Sequence, residues 1–273
     1  MMAKIEKKKI WTALIIIPPF VLLIALGHPI LFTLMVFITI LLGLLEFNNL
    51  ALPQSRQIQR FTGISLGLIL SILFVYGEAR SFSPFLVLML FLLCVLYMAT
   101  AERLSSVISN LGITLFGIFY VGFLLSHIIL IRNQTDGRAW VLFLIITIWS
   151  GDIIALFSGT LFGKHKLYPK ISPNKTYEGL LGAIVGSVVI GLLYASLFLP
   201  YFNKGVCILV TFGMGILGQL GDFTESMIKR SAQVKDSGSL FPGHGGVLDR
   251  IDSFLFSTPF LYYLLPLLMK ETP

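Results

Sequence analysis

Asp222, Glu225, Ser226 and Lys229 recur at i, i+3, i+4 and i+7, a spacing that places all four on one face of a helix. Asp249 and Asp252, three residues apart, share a face in the same way. Between the two groups lies Phe241-Pro242-Gly243-His244-Gly245-Gly246, a turn whose glycines permit positive φ and close backbone approach to a ligand. Amides freed in such a turn, or at the start of the next helix, can hold phosphate oxygens, although a tight turn alone would also explain the glycines. Lys229, Arg230 and Lys235 add positive charge, and Arg250 can grip a phosphate through two parallel hydrogen bonds, which a lysine cannot. His244, the one histidine nearby, either stabilises phosphate charge or serves the turn.

Carboxylates beside cations and a glycine turn suit a divalent metal shared with a polyphosphate. Mg²⁺ fits best, because it prefers oxygen and is usually held by one or two carboxylates plus substrate phosphates. A further carboxylate, Asp152, interrupts an apolar run, and a basic loop follows it, with the run Lys170-Ile171-Ser172-Pro173-Asn174-Lys175-Thr176-Tyr177-Glu178. Such a loop at a membrane face suits an anionic headgroup or a soluble nucleotide. Asp152 and Glu225 have an alternative reading as helix-packing residues satisfied by neighbours.

The elements that must position these residues are membrane helices. Of the 273 residues 56% are hydrophobic and 12% charged, and the mean hydropathy is +0.90, far from a soluble domain. The pattern predicts an all-α, polytopic transmembrane protein with about nine spans, near 10–26, 29–45, 61–76, 84–100, 107–131, 139–162, 179–199, 205–228 and 248–269. The first is expected to be a retained helix rather than a cleaved signal, since it is long and no small-residue cleavage site follows. Lys4, Lys7, Lys8, Lys9, Arg56, Arg60, Arg103 and the cations of 164–175 and 229–235 then fall on one side, which the positive-inside rule makes cytoplasmic. For Lys4 to Lys9, Arg56 and Arg60 that topological role suffices. The net charge of +7 therefore implies no nucleic-acid partner. Cys94 and Cys207 sit in apolar runs without metal or disulfide spacing and read as small core residues.

Ionisable residues concentrate late in the chain. This divides it into a hydrophobic scaffold, 1–138, of about five spans, and a catalytic region, 139–273, containing the polar segment 226–252. A carboxylate within a span costs about 2.5 to 3.5 kcal/mol even on lenient scales, so Asp222, Asp249 and Asp252 meeting one basic turn call for a cation.

The order Ser226-Met-Ile-Lys229-Arg230, Lys235-Asp236 and Phe241-Pro242-Gly243-His244-Gly245-Gly246-Val-Leu-Asp249-Arg250-Ile-Asp252 resembles, without departure, the signature of the phosphatidate cytidylyltransferases, or CDP-diacylglycerol synthases. Asp152 and Ser172 to Gly179 resemble the family less specifically. The resemblance implies that CTP and phosphatidate give CDP-diacylglycerol and pyrophosphate with Mg²⁺, a second cation being an open alternative. It implies metal binding by Asp222, Asp249 and Asp252, with Asp152 a fourth ligand, direct or through water. Lys175, Lys229, Arg230, Lys235 and Arg250 would hold phosphates, with Ser226, Gly243, Gly245 and Gly246 beside the substrates and His244 in the catalytic set. Asn174 and Glu178 would contact the nucleotide or support residues that do. It further implies a homodimer in the plasma (inner) membrane, among membrane lipids, with the site facing the cytoplasm. Two rivals remain to be weighed. A CDP-alcohol phosphotransferase lacks support because its DG-x2-AR pattern is absent, and a cation-coupled transporter would leave the basic glycine turn without a task.

Overall fold

The computed structural model describes residues 21–52, 57–101, 103–240 and 245–269. Among these residues eight helices are long and apolar enough to cross a bilayer. They are α1 (Pro29–Ala51), α2 (Gln57–Tyr76), α3 (Ala79–Thr100), a composite span, α6 (Gly137–Phe162), α7 (Tyr177–Phe198), α8 (Lys204–Ser231) and α9 (Leu248–Met269). The composite span runs through α4 (Val107–Gly117), a π-helical segment (Ile118–Phe123) and α5 (Leu124–Arg132). Helices are the expected answer for an apolar chain, because in lipid every backbone N–H and C=O must find its partner within the segment. Of the expected first span, 10–26, residues 21–26 are helical and the rest lies outside the described residues. Every other expected span corresponds to an observed one.

Polar side chains close the helix ends. His28 accepts from the Ile30 amide at 3.3 Å ahead of Pro29, Thr176 Oγ1 accepts from Gly179 at 3.1 Å, and Asn203 Oδ1 accepts from Gly205 at 2.9 Å and Val206 at 3.2 Å. Contacts between distant segments define the two ends of the bundle. At one end Gln59 donates to Thr100 at 2.8 Å, and Arg230 reaches Ile171. At the other, Tyr201 donates to Asp136 at 2.9 Å. Burial and that acceptor both push the Tyr201 phenol pKa up. The core between the ends is aromatic and aliphatic, with Tyr97, Tyr120, Trp140 and Phe143 fully enclosed.

Two departures from the sequence expectation bear on function. The basic loop after α6 is a short antiparallel hairpin, β1 (Lys166–Tyr168) with β2 (Ser172–Thr176), the one sheet among the described residues of an otherwise helical fold. Cys207 is buried as expected, but Cys94 is exposed, because α3 lies at the edge of the bundle with its apolar face outward.

Helix lengths set the depth of the polar groups. At about 1.5 Å per residue, the 28 residues of α8 extend about 42 Å, well beyond the roughly 30 Å hydrocarbon core. Its last turns, from Asp222 on, can therefore stand in the headgroup region, where charge is far less costly than at mid-bilayer.

Candidate active site

Three elements meet at one end of the bundle: the β1–β2 hairpin, the C-terminal turns of α8 and the first turns of α9. They enclose a cavity of about 750 Å³. The hairpin supplies Lys170, Ser172 and Asn174, α8 supplies Asp222, Ser226, Lys229 and Arg230, and α9 supplies Asp249, Arg250 and Asp252. Lys235 lines it from the linker. The i, i+3, i+4, i+7 face of α8 thus divides: Asp222, Ser226 and Lys229 border the cavity, whereas Glu225 is wholly buried against the Lys229 ammonium.

The approach of α8 to α9 depends on Gly221, where a Cβ would overlap the Asp252 carbonyl. Without a side chain there, the backbones come close enough for Asp222 and Asp252 to face one cavity. Behind them, Asp152 accepts from Gln219 Nε2 at 3.0 Å and interacts electrostatically with Asp222, Lys175 and Asp252. Lys175 projects from β2, with Nζ 2.7 Å from Asp222 Oδ2 and 4.2 Å from the Phe223 ring centroid. Ser226 Oγ donates to Asp222 Oδ1 at 3.3 Å.

Asp249 is held very differently. Lys229 Nζ donates to its Oδ1 at 2.6 Å, while its Oδ2 accepts from the Ser237 amide, Ser237 Oγ and the Gly246 amide, each at 2.8 Å. Gly245 adopts φ +77, and a Cβ there would overlap the Asp249 carboxylate. The Gly246 amide, anticipated as a phosphate donor, is therefore directed at Asp249. Gly243 and His244 lie outside the described residues.

The cations also separate by task. Arg230 Nε donates to the Ile171 carbonyl at 3.1 Å and Nη1 to the Val234 carbonyl at 2.9 Å, fastening the hairpin to the linker while its guanidinium borders the cavity. Lys170, Lys235 and Arg250 line the cavity with no carboxylate partner among the described residues, so their charge faces the space itself. Glu178 stands at the hairpin base, where Oε1 accepts from His165 Nδ1 at 2.7 Å, and does not border the cavity.

Three contributors come from the half of the chain read as scaffold or from positions passed over. Glu46 of α1 accepts from the Val247 and Leu248 amides at 2.9 and 2.8 Å and from Ser237 Oγ at 2.9 Å. Tyr120, in the π-helical segment, brings a buried hydroxyl with no hydrogen-bond partner among the described residues into the field of Asp252, Glu225 and Asp222, its ring 6.0 Å from that of Phe256. Ser237 sits between two carboxylates. The expected span 29–45 ends one residue before Glu46, although Phe47 and Leu50 continue the helical pattern beyond it. A lone glutamate inside a helix that had not yet ended was the available signal.

No three His, Cys, Asp or Glu side chains close into a metal cage among the described residues. Asp222 and Asp252 instead present carboxylates to a shared cavity with Asp152 behind. This donor set fits a hard cation that completes its shell with ligand phosphates and water. Asp249 has one oxygen fully engaged, leaving Oδ1, now on Lys229, as the atom it could offer.

Comparison with known proteins gives a consistent result. Residues 7–268 match the family described as the cytidylyltransferase family. The phosphatidate cytidylyltransferase of Bacillus subtilis is 34% identical over 275 aligned positions, covering 96% of this chain and 98% of that protein. The proteins of the same name from Staphylococcus haemolyticus and Staphylococcus epidermidis are 43% and 42% identical over 153 and 151 residues, 55% of this chain and 57% of theirs.

Proposed function

The chain belongs to the cytidylyltransferase family, and from that premise we infer that its reaction is that of the phosphatidate cytidylyltransferases it is similar to: CTP and phosphatidate give CDP-diacylglycerol and pyrophosphate. The protein is a polytopic membrane transferase of phospholipid biosynthesis. The observation that carries the reading is the cavity at the end of the bundle, where cations without carboxylate partners among the described residues face carboxylates across a space large enough for two phosphorylated groups.

In the reaction a phosphate oxygen of phosphatidate attacks the α-phosphorus of CTP. The new P–O bond forms as the bond to the β-phosphate oxygen breaks, and pyrophosphate departs in line. A phosphate monoester is largely dianionic near neutral pH, so no strong base is required and positioning dominates. Lys170, Lys235 and Arg250 are suited to the phosphates of the two substrates, with Arg250 able to bind in a bidentate manner. Lys229 orients Asp249, and Arg230 holds the hairpin wall beside Asn174 while presenting charge to the space. Lys175 balances Asp222. Mg²⁺ held by Asp222 and Asp252, with Asp152 and the Oδ1 of Asp249 in reach, would neutralise charge developing on the phosphates and leaving group.

We place the cavity at the cytoplasmic face of the plasma membrane. Arg60, Arg103, Lys164, Lys166, Lys170 and Lys235 lie at the cavity end of the helices, against Arg80, Arg132, Arg138 and Lys204 at the other end. There CTP is available, and phosphatidate can present its headgroup while its acyl chains stay in the leaflet. The homodimer implied by the family resemblance is part of the same reading, and mass measurement of the detergent-solubilised protein tests it.

Incubating purified protein with α-³²P-CTP and phosphatidate tests the reaction. One CDP-lipid per pyrophosphate is expected. A transporter would release no pyrophosphate, and a CDP-alcohol phosphotransferase would consume CDP-diacylglycerol instead of forming it.

A further inference from the structure

The segment that carries Asp249 and Arg250 is anchored from the opposite end of the sequence. Glu46 lies 202 residues before Leu248, on a helix otherwise free of charge, yet its carboxylate receives the amide of Val247, the residue before α9, and that of Leu248, the first residue of α9. Amides at a helix start have no intrahelical acceptor, and local side chains just before the helix or in its first turn normally satisfy them. Here the acceptor comes from another helix, and its negative charge also complements the positive end of the α9 dipole.

The same carboxylate reaches Asp249 through one hydroxyl. Ser237 Oγ is 2.9 Å from Glu46 Oε2 and 2.8 Å from Asp249 Oδ2, and it accepts from the Asp249 amide at 3.3 Å. One hydroxyl hydrogen between two carboxylates links them rather than serving either alone. The packing leaves no slack: a Cβ at Gly246 would overlap both Glu46 Oε2 and Ser237 Oγ, and a Cβ at Gly238 would overlap the Glu46 carboxylate. Glu46 does not border the cavity, so it acts on the chemistry through what it holds.

We propose that Glu46 is a positioning residue for cytidylyl transfer, which ties Ser237 to the Val247 and Leu248 amides and so fixes the carboxylate of Asp249 and the start of α9 against the cavity. The inference rests on the cytidylyltransferase reading for its catalytic consequence and on the geometry alone for the clasp. In the Glu46→Gln variant one acceptor oxygen remains and the other becomes an NH₂ facing donors, so the segment loosens while α1 keeps its packing.

Two measurements decide it. Steady-state kinetics in detergent should show kcat lowered on the order of 10- to 100-fold for Glu46→Gln and for Ser237→Ala, with the KM for CTP changed less than about threefold and the protein still fully folded at the assay temperature, although its unfolding midpoint falls. The double variant should lose little more than the worse single one, because both act through Asp249. Hydrogen exchange should rise in the peptide spanning 237–252 of Glu46→Gln and not in α6 or α7. A kcat within twofold of the parent, a loss matched by loss of folded protein, or losses that multiply in the double variant would overturn the proposal. If the parent forms no CDP-lipid, the functional reading fails by itself. Exchange then still decides the clasp, and unchanged protection of 237–252 in Glu46→Gln would refute it.

Discussion

Asp249 and Asp252 sit one helical turn apart and border the same cavity, yet their surroundings assign them different tasks. Asp249 accepts four hydrogen bonds, from Lys229, Gly246 and both the amide and hydroxyl of Ser237. Among the described residues Asp252 accepts one, from the Ser253 amide at 2.7 Å, and otherwise faces Asp222 and Asp152. Asp249→Asn should therefore lose activity and also stability, by about 1 to 3 kcal/mol, because its NH₂ must confront existing donors. Asp252→Asn should lose turnover by about 100- to 1,000-fold while unfolding no earlier than the parent, since it removes one of three facing carboxylates. Thermal unfolding and initial rates on the two variants check both expectations, and equal destabilisation would contradict the division. Arg250→Lys keeps the charge but not the two-pronged grip, and kcat/KM for CTP should fall about tenfold. That Asp222, Asp249 and Asp252 would converge was legible from their spacing on two helices. Which of them is tied up by the protein was not, because Ser237, Gly246 and Glu46 meet them only through the fold.

At the scale of elements, the site exists because α8 and α9 touch at Gly221 and because the hairpin is fastened to the α8 terminus by Arg230 and Lys175. Gly221→Val should force the helices apart, lowering stability by about 1 to 3 kcal/mol and activity with it. Gly112→Ala, where an added Cβ meets nothing within 4 Å, should be neutral or slightly stabilising, on the order of 1 kcal/mol. Parallel melts of the two variants provide the comparison. The membrane helices were legible because hydropathy reports burial in lipid directly. The hairpin was not, since a polar loop of lysines and prolines carries no alternating pattern, and its strands are closed by contacts such as His165 with Glu178. Glu46 escaped for a related reason: hydropathy marks where a helix becomes polar, whereas α1 continues to Ala51 and uses its last turns to reach the signature segment. The division into scaffold and catalytic region therefore understates the first half, which supplies Glu46 and Tyr120 to the site's surroundings.

At the scale of the molecule, the alternation of the eight spans among the described residues brings the segments 163–176, 232–240 and 245–247 to one end and 133–136 and 199–203 to the other. In a background with Cys94 and Cys207 replaced, a cysteine at Lys170 should react with a membrane-impermeant maleimide only from the cytoplasmic side, and one at Lys204 only from the opposite side. The reverse pattern would overturn the proposed orientation. The positive-inside asymmetry of the sequence is what supports that proposed orientation, whereas the way two distant carboxylates share Ser237 required the packed bundle. The central claim is that this cavity performs metal-assisted cytidylyl transfer to a lipid phosphate. The most direct measurement is the rate of CDP-diacylglycerol formation from CTP and phosphatidate by the purified protein as Mg²⁺ is removed with EDTA and restored. The account predicts no detectable product in EDTA, saturable recovery with Mg²⁺, and recovery in Asp252→Asn to no more than about a hundredth of the parent rate. Undiminished turnover in EDTA, or no CDP-lipid at saturating Mg²⁺, would contradict it.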